Sequence, residues 1–126
     1  MADGESDTVH VFESAIDLLS YASLEHMAGR SWRREHLLSL SGVAKSTGRE
    51  VIPNSIKHFL QNNPQVDTLW LHLDNDAAGR EAASSISAGL RDRYVVVDDP
   101  PKYGKDMNDE LMHVLSPVRH KEMLER

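Results

Sequence analysis

The sequence predicts an α/β domain, a four-stranded parallel sheet with helices on both faces. Two observations carry this prediction. Short runs rich in Val, Leu and aromatic residues alternate with segments whose apolar residues recur at helical spacing, in the order strand-helix-strand-helix-strand-helix-strand. That alternation is the pattern of a parallel sheet joined by right-handed crossover helices. The second observation is Val66-Asp67-Thr68-Leu69-Trp70-Leu71-His72-Leu73, an apolar run that ends abruptly in Asp74-Asn75-Asp76 with a helix-like segment directly behind it. In open parallel sheets, ligands bind beyond the carboxyl ends of strands, and two carboxylates two residues apart need a reason to be there.

Taken in order, Met1 to Asp7 is acidic and polar and reads as linker. Thr8-Val9-His10-Val11-Phe12 is a β-branched and aromatic strand ending at Glu13. Ser14 stands where a helix cap belongs, before a helix expected from Ala15 to about Met27 that stops near Gly29. A basic connection with Arg30, Arg33 and Arg34 leads to the strand Leu37-Leu38-Ser39-Leu40, closed by Ser41-Gly42. Val43 to Glu50 is a polar loop. Pro53 suits the first turn of a second helix, whose stripe is Ile56, Phe59 and Leu60 and whose end is Asn62-Asn63-Pro64. After the third strand a helix is expected from about Ala77 to Leu90, then a fourth strand Tyr94-Val95-Val96-Val97 running into the turn Asp98-Asp99-Pro100-Pro101. Lys102 to Glu110 is a polar turn. A short helix with Leu111, Met112 and Leu115 follows, and Pro117 is expected to break it. The domain is thus expected over residues 8–115, with 116–126 as a C-terminal tail or short helix.

With 126 residues the chain is one domain with a core of its own, and with no cysteine it has neither disulfides nor thiolate metal sites, which is compatible with a cytoplasmic location. No apolar run approaches the ~20 residues of a membrane span. A net charge of −6 argues against coating nucleic acid by bulk electrostatics, but not against touching it locally through metal ions.

Glu13 ends the first strand; Asp74 and Asp76 end the third. If those strands are neighbours, ~4.8 Å apart, all three carboxylates share one crevice, and the sheet order 2-1-3-4 places them so. An oxygen-only set of this kind suits a hard cation, above all Mg2+, with Mn2+ as a substitute. The turn carrying Lys105, Asp106 and Asn108 belongs on the same edge and supplies a cation for phosphate and further oxygen ligands. Asp76 also stands at a helix N-cap position. The seven histidines show no ligand spacing and read as structural or surface groups. An EF-hand counted from Asp74 has Gly79 in its sixth place but Ala78 in its fifth and Ser85 in its twelfth, where a bidentate Glu is required, so calcium signalling fails as an explanation. A phosphoaspartate phosphatase wants Thr or Val where Ala78 stands and gives Glu13 no role, and a response-regulator receiver, which would explain Asp74 and Lys105, expects an acidic pair after the first strand rather than Glu13-Ser14.

These motifs together resemble a Toprim domain, the catalytic module of bacterial-type primases, topoisomerases and some nucleases. Phe12-Glu13-Ser14 resembles the glutamate at the first strand end, and Leu73-Asp74-Asn75-Asp76-Ala77-Ala78-Gly79-Arg80 the Asp-x-Asp-x-Ala-Gly-Arg form of primases. Leu38-Ser39-Leu40-Ser41-Gly42 is similar to the second strand and its glycine turn, and Lys105-Asp106-Met107-Asn108-Asp109-Glu110-Leu111 to the primase Lys-Asp-Pro-Asp-Glu-Leu segment. The combined wording is similar to primase-like proteins of plasmids and conjugative elements of Gram-positive bacteria. The resemblance implies a Rossmann-like three-layer fold acting on nucleic-acid phosphodiesters within a larger protein, with DNA as partner and RNA or nucleotides as alternatives. It implies Glu13 as general acid/base or metal ligand, Asp74 and Asp76 as principal ligands, Asp106 and Asn108 as auxiliary ones, and Lys105 as a phosphate contact. Primase-like nucleotidyl transfer leads; a Toprim nuclease and a non-catalytic binding module are the alternatives. Ser14 replaces the glycine that usually follows the glutamate, and Asn108 stands where primases carry an aspartate.

Overall fold

Apolar alternation along the strands decides which side of the sheet each residue serves. The computed structural model describes residues 7–30, 35–40 and 52–124, with backbone alone from 116 onward. Its elements are β1 (Thr8–Phe12), α1 (Ala15–Met27), β2 (His36–Ser39), α2 (Asn54–Asn62), β3 (Thr68–Leu71), α3 (Ala77–Leu90), β4 (Val95–Asp98) and α4 (Met107–Leu124). All pairings are parallel and the sheet order is β2-β1-β3-β4, the order the acidic motifs require. The register pairs Val11 with Leu71, so the ends of β1 and β3 stand side by side.

One face of the sheet packs on α2 and α3. Val9, Val11, Leu38, Leu69, Leu71 and Leu73 meet Ile56, Phe59 and Leu60 of α2 and Ala83, Ile86 and Leu90 of α3. Each Val, Leu, Ile or Phe among them contributes about 1.5–3 kcal/mol when fully buried. The other face packs on α1 and α4, where Phe12 and Leu37 meet Ala22 and Met107. The result is a three-layer sandwich with β1 and β3 central.

Helix ends follow local chemistry. Ser14 Oγ accepts the Asp17 N–H at 3.2 Å and donates to Asp17 Oδ2 at 2.9 Å, a reciprocal cap that starts α1. At the other end Gly29, with φ +76°, donates to the His26 carbonyl while Arg30 N–H reaches Glu25, a Schellman stop. Pro53 precedes α2 as its N-cap rather than sitting inside the first turn. β2 and β4 are each displaced by one residue from their sequence-predicted spans. Tyr94, expected to open β4, instead donates its N–H to the Leu90 carbonyl at the end of α3.

The largest difference is α4, which continues through Pro117 to Leu124 where the sequence predicts a break. A proline removes one N–H and crowds the carbonyl four residues back, which bends a helix without obliging it to stop. The linker before Asp7, the Arg33–Arg34 connection, the Ser41-Gly42 turn and the loop from Val43 to Glu50 lie outside the described residues.

Candidate metal centre at the strand tips

The site forms where β1 and β3 end. Asp74 follows β3, and two residues later Asp76 is the N-cap of α3: Asp76 Oδ1 accepts the Gly79 N–H at 2.7 Å. Gly79 is required by close approach, since a Cβ there would lie 2.0 Å from the Asp74 carbonyl oxygen. Arg80 fastens the same turn. Its Nη1 donates to both Asp98 oxygens, at 2.9 and 2.7 Å, its Nη2 to the Leu73 carbonyl at 3.3 Å and its Nε to the Asp74 carbonyl at 3.5 Å. The tips of β3 and β4 are thereby tied together around Asp74.

Across the crevice stand Glu13, just beyond β1, and Asp17 in the first turn of α1. Asp17 is 5% exposed, deeply buried for a carboxylate. From the far side the turn before α4 brings Asp106. Carboxylate oxygens of Asp17, Asp74 and Asp106 lie within 4.8 Å of one another. Among the described residues the buried Asp74 Oδ1 has no hydrogen-bond partner, and burying an unpartnered carboxylate oxygen is costly. An all-oxygen trio around an orphaned carboxylate oxygen fits a hard divalent cation such as Mg2+.

The electrostatics agree with crowding. Burial, then the Asp74 carboxyl beside it and the charges of Asp76 and Asp17, push the Glu13 carboxyl up to about 8, so without a cation it carries a proton at neutral pH. Burial also raises Asp17, with Asp106 and Asp74 adding to the shift; Ser14 and the Asn108 N–H oppose it. Asp76 moves the other way, held below the usual carboxylate range by the Gly79 N–H and then by Lys105. The Lys105 ammonium stands 3.5 Å from Asp76 Oδ2 and 3.9 Å from Asp74 Oδ2.

The structure therefore gathers Glu13, Asp74, Asp76, Lys105 and Asp106 at one edge of the sheet, as the sequence leads one to expect, and gives them unequal places. Asp76 has one oxygen committed to the helix cap and the other facing Lys105. Asn108 Oδ1 accepts from Ser20 Oγ at 3.3 Å, and its N–H donates to Asp17 Oδ1 at 3.4 Å, so it braces Asp17. Asp17 is the residue that sequence reading passes over. Its signal was present: Ser14-x-x-Asp17 is a capping pattern that places an acid in the first turn of a helix opening on the crevice. Asp98, read as part of a turn, is the anchor for Arg80.

Among the described residues the histidines stay out of the centre. His10, His36 and His72 are buried; His10 Nδ1 and His72 Nε2 lie 2.8 Å apart, and His72 Nδ1 lies 3.0 Å from the Asp99 carbonyl oxygen. Among the described residues no helix is long and apolar enough to cross a membrane.

A family model described as Toprim-like matches residues 10–111. No curated protein matches the sequence. Among solved structures, the primase fragment of the bacteriophage T7 primase-helicase protein is similar in fold, with a TM-score of 0.59 and 22% identity over 98% of this chain and 43% of that chain. This chain thus spans less than half the length of that fragment.

Proposed function

The chain belongs to the Toprim-like family, and from that premise we propose that it is the Mg2+-dependent nucleotidyl-transfer domain of a DNA primase-like replication protein. The observation that carries the reading is the convergence of Asp17, Asp74 and Asp106 on one point, beside the Glu13 carboxyl and a lysine. Asp17, Asp74 and Asp106 would hold the cation, with Asp76 and Asn108 as flanking oxygen donors. When bound, the cation polarises a phosphoryl oxygen and favours ionisation of the attacking hydroxyl. Glu13, beside the trio, is placed to move a proton, taking it as a carboxylate from a 3′-hydroxyl or returning it as a carboxylic acid to a leaving group. Lys105 contacts phosphate at the mouth of the cleft.

The same reading makes DNA the principal partner, with nucleotides as substrates, and places the domain in a longer cytoplasmic protein. The wording of its motifs favours the primase-like proteins of plasmids and conjugative elements. The test has two stages. Calorimetry with Mg2+ and Mn2+ is expected to show binding to the wild-type chain and its loss in Asp74→Asn. Incubation with a single-stranded DNA template, a short oligoribonucleotide and labelled nucleoside triphosphates should then give metal-dependent extension that Glu13→Gln abolishes. Cleavage of the template without extension would make the protein a nuclease, and absence of metal binding by the wild type would make it a non-catalytic module.

A further inference from the structure

The acids at the strand tips have a cation of their own. We propose that Lys105 is a built-in exchangeable counter-cation: its ammonium neutralises Asp74 and Asp76 while no metal is bound, and metal binding displaces it outward, where it engages a nucleic-acid phosphate. The proposal rests on the reading of the centre as a metal site and assigns Lys105 two successive positions within it.

Three observations support it. The first is the contrast between the residue's root and its arm. The Lys105 N–H donates to Asp109 Oδ2 at 2.8 Å, and its carbonyl accepts the Asn75 N–H at 2.5 Å, so its backbone is pinned to α4 on one side and to the Asp74–Asp76 turn on the other. The side chain beyond that root is 59% exposed, and its ammonium stands 3.5 Å from Asp76 and 3.9 Å from Asp74. A fixed root with a flexible four-carbon stem lets the charge move several ångströms without any backbone change.

The second observation is competition for the same carboxylate. Asp74 belongs to the trio whose oxygens converge, and its Oδ2 lies 3.9 Å from the ammonium. A divalent ion on Asp74 and an ammonium beside it repel each other, and the doubly charged ion prevails at the buried end of the cleft. Asp76 and Asp74 hold the Lys105 ammonium above the usual lysine range, so it is charged wherever the acids are ionised.

The third is that the other cation at this turn is committed. Arg80 binds both oxygens of Asp98 and two backbone carbonyls, a fixed fork that cannot leave without loosening β3 from β4. Among the described residues the Lys105 ammonium is held by its ion pairs to Asp76 and Asp74 alone. A compact, strongly hydrated ammonium is also the group suited to trading a carboxylate for a phosphate.

The experiment uses Mg2+ and Mn2+ calorimetry on the wild-type chain and on Lys105→Ala at fixed ionic strength, with Lys105→Gln as a second variant that retains a polar stem. A short single-stranded DNA oligonucleotide at saturating metal reports the outward position. The expected result is metal binding about two- to fivefold tighter in both variants, the range of an exposed ion pair. Oligonucleotide binding should be weaker, with a salt slope lower by about one. In wild type labelled at lysine, Mg2+ should move the Lys105 Nζ resonance. Metal affinity equal to or weaker than wild type in the variants would overturn the counter-cation role while leaving the metal site intact. Tighter metal binding with unchanged oligonucleotide binding would overturn the phosphate-bound position. A wild-type chain that binds no metal would overturn the reading of the centre, and this proposal with it.

Discussion

On the α2–α3 side of the sheet, β1 and β3 present Val9, Val11, Leu69 and Leu71, all fully buried among aliphatic neighbours. On the α1–α4 side the same two strands present His10, Phe12, Trp70 and His72, packed in a stack with Tyr21 whose ring centroids lie about 5–6 Å apart. The first face needs only shape and apolar area. The second depends on hydrogen bonds, because two buried imidazoles must find partners, and they find each other and the Asp99 carbonyl. Since a carbonyl only accepts, His72 carries its proton on Nδ1 and receives His10 Nδ1–H at Nε2, which sets both tautomers. The acids of the candidate centre also come from this side, since α1 carries Asp17 and the turn into α4 carries Asp106. One face supplies cohesion, and the other aligns the elements that bear the chemistry.

The sharpest way to break this contrast is to damage the cohesive face alone. Leu69→Ala removes a side chain with 0% exposure in the centre of the first core and is expected to cost about 2–5 kcal/mol in denaturant unfolding. Metal affinity, measured where the variant is still folded, should be unchanged. A large change in metal affinity would show that the two faces are not separable.

The polar face should announce itself through pH. Burial is the main cause lowering both His10 and His72 from 6.5 to about 4. Their folded pKa lies below the unfolded one, so the unfolded chain takes up protons first on acidification. Their contribution is therefore full above pH 6.5 and is lost as pH falls toward 4, by on the order of 3 kcal/mol for each ring. In the metal-free protein Glu13 acts in the opposite sense: its folded pKa is raised from 4.5 to about 8, so acidification through that range favours the fold. The histidine term is isolated as the difference between wild type and a His10→Phe/His72→Phe variant, which replaces both partners together and leaves no orphaned ring nitrogen. Identical pH profiles for the two proteins would refute the assignment.

The smallest expected effect lies where cap and centre meet. Ser14→Ala should cost about 1 kcal/mol through loss of the α1 cap. It should also weaken metal binding, because Ser14 Oγ holds Asp17 Oδ2 at 2.9 Å. Ser14→Asp restores an N-cap acceptor but brings a like charge to Asp17, so recovered stability with still weaker metal binding would separate capping from positioning.

How much of this was legible beforehand follows the range of the interactions. The bounds of β1, α1 and α3 were readable because their signals lie within a few residues: β-branched alternation, Ser14, Gly29 and the Asp76 cap. Glu13 and Asp74 were readable as strand-end acids, and their adjacency required only that β1 and β3 pair. The sequence by itself thus determined the alternation of elements, the helix caps and the edge of the sheet at which acids collect. Only the tertiary structure decided that Asp17, Asp74 and Asp106, separated by up to 89 residues, converge within 4.8 Å, that the Asn108 N–H donates to Asp17, and that α4 passes through Pro117. Caps and strand ends are set by bonds along one turn of chain. The grouping of three distant carboxylates is set by the docking of α1 and α4 on the same face of the sheet, which no local pattern encodes.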